Sequence, residues 1–342
     1  MSLIDTVLTP VRAYKELDIR SPIVKEKPCA RRRPQFHRLR SAGDMNPALE
    51  ATGLSKRYRR RWALSDCTLS IPEGKVVGLV GPNGAGKTTL LHLAVGLLSP
   101  STGTIEVLGR RPADGPEQLG RVGFVAQDTP TYSALSVSDH LRLGGWLNPR
   151  WDNAIATRQI ERLGLDPGQR AGSLSGGQRA QLALTLAIAK RPQLLVLDEP
   201  VASLDPLARR EFLRNLAEIV ADHGVSVVLS SHLVADLEQV CDYLIVLVAS
   251  RVQVAGDIAS LLASHCRVVG QGLDASKLPV NAQVIEAGVS DGRHTVIFCP
   301  DGPPHGSDWN RQPVSLEDLV LAYMGRAVAR SDRRTTLTGL RP

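Results

Sequence analysis

The sequence predicts an α/β fold: a mainly parallel sheet, an antiparallel β subdomain ahead of it, and an α-helical subdomain inserted into it. Three observations predict this. Short apolar runs alternate with stretches of helical spacing along most of the chain, the pattern of a parallel sheet covered by helices. Residues 48–69 read instead as short strands joined at a turn marked by Arg59-Arg60-Arg61. Residues 136–170 are helical without a strand pattern and interrupt the alternation.

Each element follows in order. Residues 1–44 are rich in Pro and Arg, include the run Arg31-Arg32-Arg33-Pro34 and read as a disordered basic extension, with Met45 a candidate start of the regular sequence. Lys75–Val80 is continuously apolar after its first residue and reads as a strand buried on both faces. A Gly-rich loop follows, then an apolar helix from Lys87 to about Leu98. Further strands are expected at Gly103–Leu108, Val122–Ala126, Leu194–Asp198, Val225–Ser230 and Tyr243–Val248, and helices at Arg179–Lys190 and Pro206–Asp222. The second helix places Phe212, Leu216 and Ile219 on one face. After residue 265 the character changes. Val296-Ile297-Phe298 suggests a strand, and Ser315–Tyr323 a short capped helix with Glu317 and Asp318 in its first turn. The expected layout is a main domain over 45–264 with its helical insert at about 128–178, a small accessory domain over 265–324, and a basic tail over 325–342.

Charge is unevenly placed. The chain of 342 residues carries a net +7, but residues 1–44 hold +5 and residues 325–342 hold +4, which leaves the body at −2. The basic ends suit anionic lipid headgroups, nucleic acid, or simply solvated tails. Aromatics at 4% are too few for base-stacking platforms, so no nucleic-acid partner is expected. Cys29, Cys67, Cys241, Cys266 and Cys299 form no CxxC pair and read as reduced, small apolar residues. No run approaches the roughly 18 apolar residues of a membrane span. The N-terminus has no apolar signal core, so the chain is expected to stay inside the cell.

Gly81-Pro82-Asn83-Gly84-Ala85-Gly86-Lys87-Thr88 fits G-x-x-x-x-G-K-[ST] between a buried strand and an apolar helix, the context that defines a P-loop. Glycines let backbone N–H groups approach phosphate oxygens, and the helix points its positive end at the anion. Lys87 is placed to reach the β- and γ-phosphates, Thr88 to hold Mg²⁺, and Thr89 follows in the same turn. Downstream, Leu194–Leu197 carries Asp198 and Glu199 to the C-terminal edge of a strand. Asp198 is a candidate Mg²⁺ ligand, directly or through water, and Glu199 the candidate to polarise an attacking water.

Leu174-Ser175-Gly176-Gly177-Gln178 separates this chain from other P-loop proteins. It resembles the signature motif of the ATP-binding cassette (ABC) ATPases. Gln127 at a strand end, Ser203-Leu204-Asp205 just after Glu199-Pro200, His232 after the strand Val225–Ser230, and Tyr58 upstream of the P-loop match further family motifs in order. The resemblance covers residues 48 to about 260. It implies a P-loop NTPase core that hydrolyses ATP with Mg²⁺. Gln127 would reach Mg²⁺ or water, His232 the γ-phosphate, and Tyr58 would stack on adenine, although Trp62 is near enough to be the stacking ring instead. Asp205 would contact a second subunit, cap the helix that begins at Pro206, or both. The signature strip Ser175, Gly176, Gly177 and Gln178 offers a second helix N-terminus to an anion. In the family it closes over the ATP of the opposite subunit, so a second ATP-binding subunit, most simply a homodimer partner, is implied.

Val201-Ala202-Ser203 departs from the Thr, Ser/Thr and Gly common in the D-loop region of close relatives, but Asp198, Glu199 and His232 are intact. Ser315–Tyr323 is similar to the short acidic-apolar helix that ends many ATP-binding subunits of ABC-2-type exporters; a generic amphipathic helix is the competing reading. The function implied is that of an ATP-hydrolysing subunit on the cytoplasmic face of a membrane, powering a separate transmembrane permease subunit. The helical insert, with Trp146 and Trp151, would contact that permease, or those rings pack within the insert. The alternative is an ABC ATPase acting on ribosome or DNA. Translation factors of that kind carry two cassettes, however, and the 86 residues between Lys87 and Leu174 cannot hold the long coiled coils of the DNA-repair type.

Overall fold

The computed structural model describes residues 47–270, 283–290, 293–299 and 311–338. The expected basic extension over residues 1–44 lies outside them.

The described chain opens with a long hairpin, β1 (Pro47–Tyr58) and β2 (Arg61–Pro72), turning at Arg59-Arg60, where Arg59 takes a left-handed φ of 50°. β4 (Thr102–Val107) adds antiparallel to the other edge of β1, completing a three-stranded sheet in the order β2-β1-β4. The main sheet has six strands. β5 (Val122–Val125), β6 (Leu194–Leu197), β7 (Ser226–Ser231), β3 (Val76–Val80) and β8 (Tyr243–Val248) run parallel in that spatial order, and β9 (Arg251–Asp257) closes the edge antiparallel to β8.

The apolar runs of β3, β6, β7 and β8 have a direct cause. Successive side chains point to opposite faces, and both faces are covered. On one face Val77, Leu79, Leu194, Val196, Val228, Ile245 and Leu247 pack with α1 (Lys87–Ala94) and with the three-stranded sheet, including Leu49, Leu64 and Ile105. On the other, Val76, Val80, Leu195, Leu197, Val227, Leu229, Leu244 and Val246 meet α5 (Gly176–Ala189) and α6 (Pro206–His223), the labels α2–α4 being given below. Phe212, Leu216 and Ile219 of α6 are all fully buried there. α1 is shorter than its sequence suggests, because Gly96 takes φ 77° and turns the chain away after Val95.

α2 (Gly115–Arg121) leads into β5. The insert is α3 (Val137–Leu147), α4 (Asn153–Arg162) and a 3₁₀ turn at Ala171–Ser173. Its small core joins Val137, Ile160, Leu165, Ala171 and Leu174 to Leu182 of α5. α5 therefore belongs to two cores at once, Leu182 facing the insert while Ala180, Leu184 and Ile188 face the main sheet. An Arg162–Glu218 ion pair also ties α4 to α6.

After β7 come α7 (Val234–Glu238), the β8–β9 pair and α8 (Ile258–Ser264). β10 (Cys266–Gly270), β11 (Gln283–Ser290), β12 (Arg293–Cys299) and β13 (Arg311–Gln312) form a second antiparallel sheet in the order β11-β12-β10-β13. The last helix, α9 (Leu316–Thr338), is 23 residues long and crosses the expected boundary at 324/325. Nothing from Arg326 to Leu337 is proline, Ala, Arg and Leu are good helix formers, and a lone Gly325 costs only about 1 kcal/mol. The first turns of α9 are not confined to the accessory unit either. Leu316, Leu319, Val320 and Tyr323 sit in the same core as Leu244, Val246 and Leu237.

Two contacts fasten this end, the first half-buried and the second buried. The Arg267 guanidinium reaches Asp318 at 3.0 Å. His265 lies 2.7 Å by Nδ1 from the Leu261 carbonyl and 3.0 Å by Nε2 from the Tyr323 hydroxyl. With Nδ1–H donating to the carbonyl, Nε2 accepts from the tyrosine. Burial pulls the His265 pKa down, against the opposing pull of the Leu261 bond, and pushes Tyr323 up to about 12. A histidine held neutral in the fold binds its proton more readily when unfolded. Stability should therefore be complete above the unfolded pKa of about 6.5 and fall as pH drops below it. Urea unfolding between pH 7 and pH 5 should show this fall in the wild type and a shallower one in His265→Gln.

Candidate functional site

Four neighbouring parallel strands, β5, β6, β7 and β3, end on one edge of the sheet, and their continuations carry nearly all the residues singled out in the sequence. The edge where parallel strands end is where open α/β sheets bind ligands. Here Asn83, Gly84, Ala85, Gly86, Lys87, Thr88 and Thr89 from the β3–α1 loop share a cleft of about 630 Å³ with Tyr58, Gln127, Glu199 and His232.

The loop after β3 is shaped by backbone proximity. A Cβ at Gly81 would lie 2.0 Å from the Leu247 carbonyl oxygen. At Gly86, φ is 110° and a Cβ would lie 2.3 Å from the Ala63 carbonyl oxygen. The hairpin and β8 thus press on the loop from two sides, and only glycine fits. Pro82 closes the turn by accepting a bond from the Ala85 N–H at 3.1 Å. Lys87 is 5% exposed, and its ammonium donates to the Gly81 carbonyl at 2.8 Å and pairs with Glu199 Oε1 at 3.1 Å.

Asp198 lies one residue beyond β6 and is 1% exposed. Its N–H extends the ladder to the Val125 carbonyl, and its Oδ1 accepts from the Ser230 hydroxyl at 2.8 Å. The next residue leaves the sheet: Glu199 takes φ 45°, a left-handed conformation that costs a non-glycine residue about 1–2 kcal/mol. This turn throws its carboxylate into the cleft, where Oε2 lies 3.2 Å from His232 Nδ1 while Oε1 meets Lys87. One carboxylate therefore bridges the cation of the phosphate loop and the imidazole at the end of β7. The His232 loop is itself pinned, since the Ser231 hydroxyl donates to the buried Asp236 and accepts from the Leu233 N–H.

Gln127 is exposed at the end of β5. The loop that follows it is anchored by His140, whose Nδ1 lies 2.8 Å from the Ser136 carbonyl, so that Nε2 accepts from the Tyr132 N–H at 3.1 Å. Of the two candidate rings, Tyr58 lines the cleft and Trp62 does not; the Arg57 guanidinium lies over the Trp62 ring instead, 5.5 Å from its centre.

Ser175, Gly176, Gly177, Gln178 and Asp205 are not among the residues lining this cleft. Ser175 and Gln178 form a reciprocal capping box at the start of α5, with the Ser175 hydroxyl accepting from the Gln178 N–H and the Gln178 side chain accepting from the Ser175 N–H. Asp205 caps α6 by accepting from the N–H groups of Leu207 and Ala208, both at 3.0 Å. The two helix starts touch, because a Cβ on Gly177 would lie 2.9 Å from that of Ala208.

Of the two insert tryptophans, Trp151 packs its ring on Gly144, where an added Cβ would meet it at 2.4 Å, so it serves the insert's own packing. Trp146 is 80% exposed. Sequence reasoning missed Arg61, Ala63 and Ala202, which line the cleft, and Ser230 beneath it. Arg61 was visible only as part of a basic turn, and Ser230 only as the end of an apolar strand. Burial raises the thiol pKa of Cys67 and of Cys241, which keeps both protonated and inert.

The chain is similar to several known proteins. The family model described as ABC transporter matches residues 64–202. The Nod factor export ATP-binding protein I of Rhizobium johnstonii is 31% identical, over 83% of this chain and 97% of its own length. The phosphonates import ATP-binding protein PhnC 2 of Pseudomonas syringae is 34% identical, over 68% of this chain and 92% of its own. A solved structure of the ATP-binding subunit of an ABC transporter matches with a TM-score of 0.57 and 30% identity, over 63% of this chain and 92% of its own.

The crowding at the loop is directly testable. Gly86→Ala should destabilise the protein by at least about 2 kcal/mol in urea unfolding, from strained φ plus collision with Ala63. Gly84→Ala, where a Cβ meets only the Arg61 guanidinium at 3.6 Å, should cost less.

Proposed function

The chain belongs to the ABC transporter ATP-binding family, and on that footing we propose that it works as one of two ATP-binding subunits driving a separate transmembrane permease in export. As a member of that family it binds ATP and hydrolyses it to power transport. The relatives' names favour transport over action on ribosome or DNA. Among the described residues no helix is long and apolar enough to cross a membrane, which agrees with a peripheral seat on the cytoplasmic face of a permease.

The observation that carries the two-subunit reading is the division of the motifs. The cradle of Lys87 and the Glu199–His232 pair share one cleft, whereas the helix start at Ser175–Gln178 lies outside it, exposed, with Asp205 beside it. A second phosphate-seeking helix N-terminus that does not reach its own cleft is suited to the nucleotide of another copy. Within the cleft, Gly84, Gly86, Lys87, Thr88 and Thr89 hold the phosphates, and Tyr58 offers its ring to the base. Glu199 polarises the attacking water, with its proton passing toward the carboxylate, and His232 holds the carboxylate and the γ-phosphate in line.

Thr88 and Asp198 supply hard oxygen donors of the kind Mg²⁺ takes, with Gln127 near enough to join through water. Asp198 is buried, and among the described residues its carboxylate has no ion-pair partner; a buried charge of that kind fits a metal ligand. Bound there, Mg²⁺ would neutralise charge on the β- and γ-phosphates.

Export is favoured over import by the extent of the likeness. The match to the export protein covers 83% of this chain against 68% for the phosphonates import protein, so it takes in more sequence outside the ATPase domain. The exposed Trp146 on α3 is the natural anchor for the permease.

Glu199→Gln should still bind ATP, should accumulate as a dimer in its presence, and should lose turnover by at least about 100-fold; a monomer with wild-type hydrolysis would overturn the reading. Asp205→Asn keeps an N-cap and should leave stability within about 0.5 kcal/mol. Loss of turnover in that variant would place Asp205 at the subunit contact.

A further inference from the structure

We infer that Ser230 is a positioning residue for ATP cleavage, one buried hydroxyl that aims both carboxylates of the β6 edge. The inference rests on the reading of Asp198 and Glu199 given above. β6 and β7 pair in register up to Leu197 and Leu229, so the next rung of the ladder would fall at residues 198 and 230. Asp198 points its N–H to Val125 on the other side, as alternation along a strand dictates, and Glu199, whose N–H faces β7, leaves the sheet with its left-handed φ. The Ser230 side chain meets both residues. Its hydroxyl donates to Asp198 Oδ1 at 2.8 Å and accepts from the Glu199 N–H at 2.8 Å.

Both bonds use the hydroxyl to a purpose an apolar residue cannot serve. Ser230 is fully buried, so no bulk water stands by to replace it. The donated bond occupies one oxygen of Asp198 and fixes its rotamer. The accepted bond satisfies the Glu199 N–H at the point where the chain leaves the ladder, and so holds the strained turn that puts Oε1 and Oε2 between Lys87 and His232. A charge-assisted hydrogen bond and a strained backbone are thus coupled through one atom. Because Ser230 belongs to β7 and His232 follows it by two residues, the same strand end sets both carboxylates and the imidazole.

The test uses the full chain with Ser230→Ala, Ser230→Thr, Ser230→Cys and Glu199→Gln, measuring steady-state ATP hydrolysis and hydrogen exchange of the Glu199 amide without nucleotide. In Ser230→Ala, kcat should fall at least about 10-fold while KM for ATP stays within about twofold, since the Lys87 cradle is untouched. The Glu199 amide should exchange at least about 10-fold faster. Ser230→Thr, which keeps the hydroxyl, should restore both readouts toward wild type, and Ser230→Cys should not. Wild-type kcat in Ser230→Ala, or unchanged exchange at Glu199, overturns the inference. Should Ser230→Ala not fold, a Cys variant as active as Thr overturns it equally. An inactive Glu199→Gln beside a fully active Ser230→Ala would sink only the role of Ser230. An active Glu199→Gln would sink the assignment of Glu199 and leave the exchange result to judge the hydroxyl.

Discussion

The structure depends on one constraint: a parallel sheet covered on both faces. With Val77 and Leu79 packed one way and Val76 and Val80 the other, the strands have no free face to offer a ligand. What remains accessible is the line where they end. Four adjacent strands end there together, and the segments that leave them carry a cation, a carboxylate, an amide and an imidazole into one cleft. The chemistry is local because the packing is global.

The same constraint explains how the insert and the core communicate. α5 starts at the exposed capping box of Ser175 and Gln178, then runs as a wall shared between the insert and the main sheet. A displacement at its start is carried along a rigid element packed on both sides. The loop after Gln127 is bound to α3 through His140. The start of α5 and the loop after Gln127 are therefore both tied to the insert on which Trp146 stands exposed.

Much of this was readable in the residues, for physical reasons. Gly81–Thr88 announces itself because a helix start that cradles phosphate needs glycines and a lysine at fixed spacing, and the buried strands announce themselves because two-sided burial makes them uniformly apolar. What escaped notice lacked such patterning. β9 is a mixed edge strand with most of its residues half exposed, so no run of apolar residues marks it. Trp146 and Trp151 look alike in sequence, and only the glycine face of α3 decides which one packs against it. The extension of α9 past Gly325 was hidden by reading its arginines as a tail. Ser230 carries no spacing signal, since its meaning comes from the neighbouring strand in the sheet, more than thirty residues away in the chain.

The docking of α9 has a consequence for how such a chain can be cut and reused. Its first turns fill a trough along β8 and α7 with Leu316, Leu319 and Val320. A fragment trimmed at residue 264 would lay that trough bare as an oily seam beside the edge of the sheet and invite self-association. The nucleotide-handling portion is therefore no portable cartridge, and an engineer grafting it onto another protein would have to carry the terminal helix along.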